Sequence, residues 1–243
     1  MDDRRTASIV GLLFIAATGF YIAGQVIHSP ILGASGVLGL SMTQKTWATI
    51  GVLIELLGIL AIPLIAVFIF PVLRRHSVPF ALTYLVLRIV ESTLLILVAA
   101  FGLALVLHAG GPTWVDLRDL VQVLGEPAFL LSVGIVFPLS ALVLNGVLWR
   151  TGIVPVGISL FGLIAGALLM VGTLIDLLGL MPNLPPAAVE VVFSGPIALQ
   201  EMVLAIWLIT KGFSPEALAR MDDTLTPERW GAEGRLELEA PMQ

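Results

Sequence analysis

Apolar positions gather into six long runs, near residues 7–27, 47–73, 79–108, 126–149, 153–181 and 187–210. A helix needs about 20 mostly apolar residues to cross the hydrocarbon core of a bilayer, and each run supplies that many. The pattern predicts an all-α, polytopic membrane bundle of six transmembrane helices. It divides the chain into a membrane domain, 1–212, and an acidic tail, 213–243, that lacks a long apolar face and is expected to be flexible.

The connections differ in character. The stretch from His28 to Thr46 is rich in glycine and serine but holds Ile31, Leu32, Val37, Leu38 and Leu40, so it is expected against the membrane surface or dipping into the bundle mouth. Between Trp114 and Leu124, the spacing of Leu117, Leu120, Val121 and Leu124 predicts a separate short interfacial helix, with Thr113 and Asp116 as a capping box. In the tail, Ser214-Pro215-Glu216 predicts a short helix through Met221.

Composition agrees with the pattern. Hydrophobic residues make up 58% of the chain and charged ones 12%, too few to cover a soluble protein of this size. The basic residues are scattered, which removes any case for nucleic acid. There is no cysteine, which excludes disulfides, thiolate metal sites and cysteine nucleophiles. Arg4 and Arg5 precede the first run as they would in a signal peptide, but that run continues through Val26 and Ile27, so a retained first helix is expected.

Charge also sets an orientation. Arg4, Arg5, Arg74, Arg75, Arg150, Lys211 and three tail arginines fall on one side of the six runs, and only Lys45 and Arg118 on the other. By the positive-inside rule both termini are expected in the cytoplasm. Trp47 and Trp114 then lie at the outer boundary, and Trp149 and Trp207 near the inner one, where indole rings prefer to sit.

Function must be sought where charge interrupts the runs. Ionisable groups inside a membrane are costly, so they face a bundle interior, pair or line a cavity. Here they are Glu55, Arg88, Glu91, Asp176 and Glu201, with Glu126 and Glu190 near span starts and Asn145 and Gln200 as uncharged partners. Arg88 and Glu91 are three residues apart and share a helix face, and Glu201 lies at similar depth. One reading is a buried Arg88–Glu91–Glu201 set that fixes helix register. The other is a polar site for a ligand, ion or proton, in which Glu55, Asp176 and Glu190 form an acidic vestibule open to the outside.

Backbone features admit two readings as well. Gly162-Leu-Ile-Ala-Gly166 allows close helix approach, within the chain or in a homo-oligomer. Pro63, Pro138 and Pro196 are expected to kink their spans. The three histidines, His28, His76 and His108, sit near predicted helix ends and read as interfacial or loop residues; pairing of His28 with His108 on a metal or haem has no support in the spacing. No metalloprotease, nucleophile-elbow, P-loop or dinucleotide motif is present, so neither catalysis nor a cofactor is expected. No repeat relates the first three spans to the last three, which leaves an inverted-repeat transporter unsupported.

Several stretches resemble a known group. They are Arg5-Thr-Ala-Ser-Ile-Val-Gly-Leu-Leu-Phe-Ile15, Leu87-Arg-Ile-Val-Glu91, Trp149-Arg-Thr-Gly-Ile-Val-Pro155 and Leu204-Ala-Ile-Trp-Leu-Ile-Thr-Lys-Gly212. Together they are similar to the domain-of-unknown-function 4386 family of bacterial six-helix membrane proteins, over roughly residues 5 to 213. The resemblance implies a membrane location and a six-helix bundle, and no activity. Two functions stay open. One is a small binding or transport protein whose partner, besides lipid, is a small ligand, cation or proton. The other is a structural or regulatory component whose buried charges only specify packing.

Overall fold

In a computed structural model the described residues are 2–33, 40–111, 114–180 and 186–223, and all regular structure among them is helical. The order is α1 (Asp3–Gly33), α2 (Met42–Leu73), α3 (Val78–His108), α4 (Trp114–Phe129), a π-helical segment (Leu130–Val136), α5 (Phe137–Thr151), α6 (Val156–Leu177), α7 (Pro186–Phe193), α8 (Gly195–Thr210) and α9 (Pro215–Asp223). Five helices are long and apolar enough to cross a membrane: α1, α2, α3, the continuous rod Asp116–Thr151, and α6. Their outward surfaces carry large apolar side chains such as Leu12, Leu57, Leu64, Val86 and Ile164. In lipid such an exterior is what solvation demands.

The predicted runs correspond to these helices with two corrections. The stretch 114–124 is no separate interfacial helix, since α4 runs without a break through the π segment into α5. Its capping residue Thr113 lies outside the described residues. The expected sixth span, 187–210, is broken at Ser194 into α7 and α8. The helix α9 lies 89° from α8 and carries Glu216, Arg220, Asp222 and Asp223, so it turns away along the bundle end instead of extending the span.

Local signals explain the ends. The hydroxyl of Ser41 accepts from the Gln44 backbone N–H and the Gln44 side chain returns a bond to the Ser41 N–H, a capping box that starts α2. A proline in the first turn starts α3. Gly152, at φ 68°, ends α5 in the left-handed conformation that glycine adopts without strain. Pro138 lacks an N–H and would crowd the carbonyl four residues before it. The preceding turn widens, and the Phe137 N–H donates to the Ser132 carbonyl five residues back.

The first two helices are antiparallel and very close. A Cβ on Gly24 would stand 2.5 Å from the Glu55 backbone nitrogen, one on Gly51 2.9 Å from the His28 Cβ, and one on Gly58 2.6 Å from the Tyr21 nitrogen. Glycine on α6 serves α5 in the same way. Gly162 faces Asn145 with no room for a methyl group, whereas Gly166 has ordinary contacts with Leu142 and Pro138. The small-residue pattern is therefore used within the chain.

One end of the bundle, the terminal face, gathers both ends of the described chain with the α2–α3 and α5–α6 turns. The Arg4 guanidinium donates to the carbonyls of Leu208, Ile209 and Thr210 at 3.2, 2.8 and 3.0 Å, satisfying the C-terminal end of α8. Arg75 holds Asp3 through two bonds, of 3.2 and 2.8 Å, and reaches Asp222 at 3.4 Å. Phe213, Ala217, Leu218 and Met221 are buried in the main core cluster with Leu73 and Ala7, so α9 docks on the bundle. The remainder of the tail, 224–243, lies outside the described residues.

Candidate functional site

Near the middle of α3, Arg88 is 3% exposed. An arginine there without partners would be costly in hydrocarbon, and its neighbours supply four kinds of compensation. One turn earlier, Tyr84 Oη accepts from Nε at 3.1 Å. One turn later, both Glu91 carboxylate oxygens accept from Nη1 at 3.2 Å. From α8, Glu201 Oε1 accepts from Nη2 at 3.0 Å. The rings of Phe14, Tyr84 and Phe137 surround the guanidinium at 5.9, 5.4 and 5.3 Å from their centroids, within cation–π range. Ser132, in the π segment, ties in the same turn of α3 by donating to the Glu91 carbonyl at 2.9 Å.

Beside these charges lies a cavity of about 250 Å³. Its wall is mainly apolar, with Phe14, Ile65, Leu95, Phe137 and Ile197, and Arg88, Glu91 and Glu201 form its polar end. The lining residues Ile22 on α1 and Ala198 on α8 are exposed, and Thr18 and Ser194 are half-buried, so the mouth opens sideways between α1 and the start of α8. Pro196 lies in the first turn of α8, where its missing N–H costs nothing, and bends no continuous helix.

Only part of the predicted site is brought together. Arg88, Glu91 and Glu201 meet. Glu55 does not join them; on α2, 3% exposed, it is 2.7 Å from His28 Nε2 and accepts from Gln25 Nε2 at 2.8 Å. His28 is therefore a buried partner of Glu55 and not an interfacial residue, a correction that depth along the chain could not supply. His76 and His108 are exposed near helix ends as expected. Asp176 is exposed near the end of α6 and belongs to neither group. The side chain of Glu190 lies outside the described residues. Among the described residues, Glu55 with His28 and the Arg88 centre line two separate cavities.

A third, uncharged group binds α5, α6 and α8. Gln200 Nε2 donates to Asn145 Oδ1 at 3.0 Å and to the Ile158 carbonyl at 3.3 Å, while Asn145 Nδ2 donates to Ala141. Among the described residues no set of three histidine or acidic side chains is spaced to hold a metal ion. The aromatic residues around Arg88 escaped the sequence reading. Tyr84 alone had a local signal, four residues before Arg88 on the same helix face.

The architecture defines an all-α, polytopic membrane protein with a buried arginine–carboxylate centre. Within that class, the chain belongs to the family described as Domain of unknown function (DUF4386), whose profile matches residues 9–212. That interval contains Arg88, Glu91 and Glu201 and stops before α9. No curated protein matches the chain, and no solved structure does.

Proposed function

We propose that this is a six-span protein of the bacterial inner membrane, with both termini cytoplasmic, that binds a small amphiphilic cation in the cavity beside Arg88, Glu91 and Glu201. The orientation rests on the terminal face, which collects Arg4, Arg5, Arg74, Arg75, Arg150, Lys211 and Arg220. The sixth crossing is assigned to α7 with α8.

The observation that carries the ligand class is the balance of charge at the cavity's polar end. Two carboxylates face one guanidinium, and Arg88 engages only Oε1 of Glu201, whose side chain keeps 14% exposure. A protonated amine placed there would meet an unbalanced carboxylate, and its apolar body would fit the aromatic and aliphatic wall. The sideways mouth suits a ligand that partitions into lipid.

The full pairing of Arg88 favours a second reading, in which the charges only fix packing. Calorimetric titration of the purified protein in lipid nanodiscs with 2-phenylethylammonium, its alcohol analogue and 3-phenylpropionate separates the two. The ligand reading expects saturable binding of the cation alone, weakened about tenfold or more by Glu201→Gln, a loss of roughly 1.4 kcal/mol. Binding of none of the three probes leaves the packing reading.

A further inference from the structure

A second cavity, of about 440 Å³, lies toward the far face, and His28, Glu55 and Gln25 line it. We propose that the His28–Glu55 pair is a proton-binding site reached through this cavity, and that its charge state is passed to the Arg88 cavity through Gln25 and Tyr21.

The pair is built into the closest part of the α1–α2 contact. Two of the three glycines that allow that contact stand opposite its members, Gly24 against Glu55 and Gly51 against His28. Both Glu55 oxygens are engaged, Oε2 by His28 Nε2 and Oε1 by Gln25. With the Nε2 proton donated to Glu55, the lone pair lies on Nδ1. That nitrogen is buried and has no hydrogen-bond partner among the described residues, although His28 is only 7% exposed. Native structures seldom leave a buried polar atom unmatched, and one that is left asks for an occupant. A pair that served packing alone would gain from closing this bond.

The surroundings favour a proton on that nitrogen, with water in the cavity accepting from the new N–H. Among the described residues lining the cavity there is no lysine or arginine. From α2 the facing titratable group is Glu55, and from α4 it is Glu126, with Gln122 beside it. The α3 wall offers Val98, Ala99 and Gly102, none of which titrates. Nearby, Lys45 Nζ donates to the Ala109 carbonyl at 3.0 Å and His108 turns to the Ala104 carbonyl. The cavity exceeds the volume of one water, about 30 Å³ in the liquid, many times over, so water can deliver the proton. On uptake the proton adds to the Nδ1 lone pair, Nε2–H stays on Glu55, and the pair passes from one negative charge to none. Gln25 Nε2 also lies 3.4 Å from Tyr21 Oη, and Tyr21 lines the Arg88 cavity. The sequence His28–Glu55–Gln25–Tyr21 thus joins the two cavities.

This site does not depend on the Arg88 cavity taking a ligand, and its test needs none. The chain has three histidines, so ring-nitrogen labelling of the full protein in nanodiscs gives three readable side chains, with His28→Gln assigning one. Titration from about pH 4.5 to 9 brackets the usual imidazole range. The expected result is one step from neutral ring to imidazolium at His28, displaced toward lower pH in Glu55→Gln, which takes away the carboxylate that favours the charged ring. A labelled Tyr21 ring should follow the same midpoint and cease to follow it in Gln25→Leu. A His28 signal fixed in one form throughout, read on the unsubstituted protein, overturns the site. So does a midpoint indifferent to Glu55→Gln. A Tyr21 signal that ignores the step overturns the link between the cavities.

Discussion

At Arg88 the cost of burial and the worth of pairing can be separated. Breaking a buried ion pair leaves an uncompensated charge and typically costs about 3–5 kcal/mol, whereas replacing the whole set by apolar residues is often neutral. Arg88→Met leaves Glu91 and Glu201 without their cation beside the cavity, so it is expected to destabilise by up to about that amount in detergent unfolding titrations. The combined Arg88→Met, Glu91→Leu, Glu201→Leu protein should recover most of the loss. Failure of the triple variant to recover would mean that the aromatic residues and Tyr84 hold the centre more strongly than the charges do. Tyr84→Phe removes one neutral acceptor from Nε and should cost about 0.5–1.5 kcal/mol in the same titration, a smaller step than any change of charge.

Among the helices, the α1–α2 contact shows what a hydrophobic pattern conceals. The apolar runs made both helices legible, because length and hydropathy alone decide whether a segment can span. They carried no sign that Gly24, Gly51 and Gly58 bring the two backbones together, since a glycine in a membrane helix has many uses. For the same reason Glu55 reads as part of an outer acidic vestibule with Asp176 and Glu190, although the glycines place it against His28. Arg88 and Glu91 were legible as a pair because their spacing is local. The uninterrupted rod from α4 to α5 escaped because Asp116, Arg118, Asp119 and Gln122 set 114–124 apart from the apolar run that begins near 126, and widening to a π segment has no simple signature. Gly24→Ala tests the contact. Its methyl group would meet Glu55 backbone at 2.5 Å, and the separation it forces should cost about 1–3 kcal/mol of stability. It should also weaken the bond between His28 and Glu55, visible as a changed His28 ring-nitrogen spectrum. Gly146→Ala, with nothing within 4 Å, is the control expected to alter neither.

Across the whole molecule, the terminal face binds together parts of the chain that are distant in sequence, and it predicts where truncation will be felt. Arg4 satisfies the α8 carbonyls, Arg75 joins Asp3 to Asp222, and α9 places Leu218 and Met221 in the core. The family match ends at residue 212, so α9 lies outside the shared region while being packed on it. Two truncations compare the chain with and without α9, one ending after Asp223 and the other after Gly212. Ending it after Gly212 should cost about 2 kcal/mol, the scale of one large apolar side chain returned to solvent. Arg75→Gln in the full chain separates the charged contacts from the apolar ones. Such partly exposed pairs are worth about 0–1 kcal/mol, so a small effect there beside a larger one on truncation would assign the docking of α9 to Phe213, Leu218 and Met221. Equal effects would instead make Arg75 the clamp on which the end of the bundle depends. Both cavities open elsewhere, so neither truncation should alter the His28 titration. A change there would show that the two ends of the bundle are mechanically linked through α1, the helix that carries both Asp3 and His28.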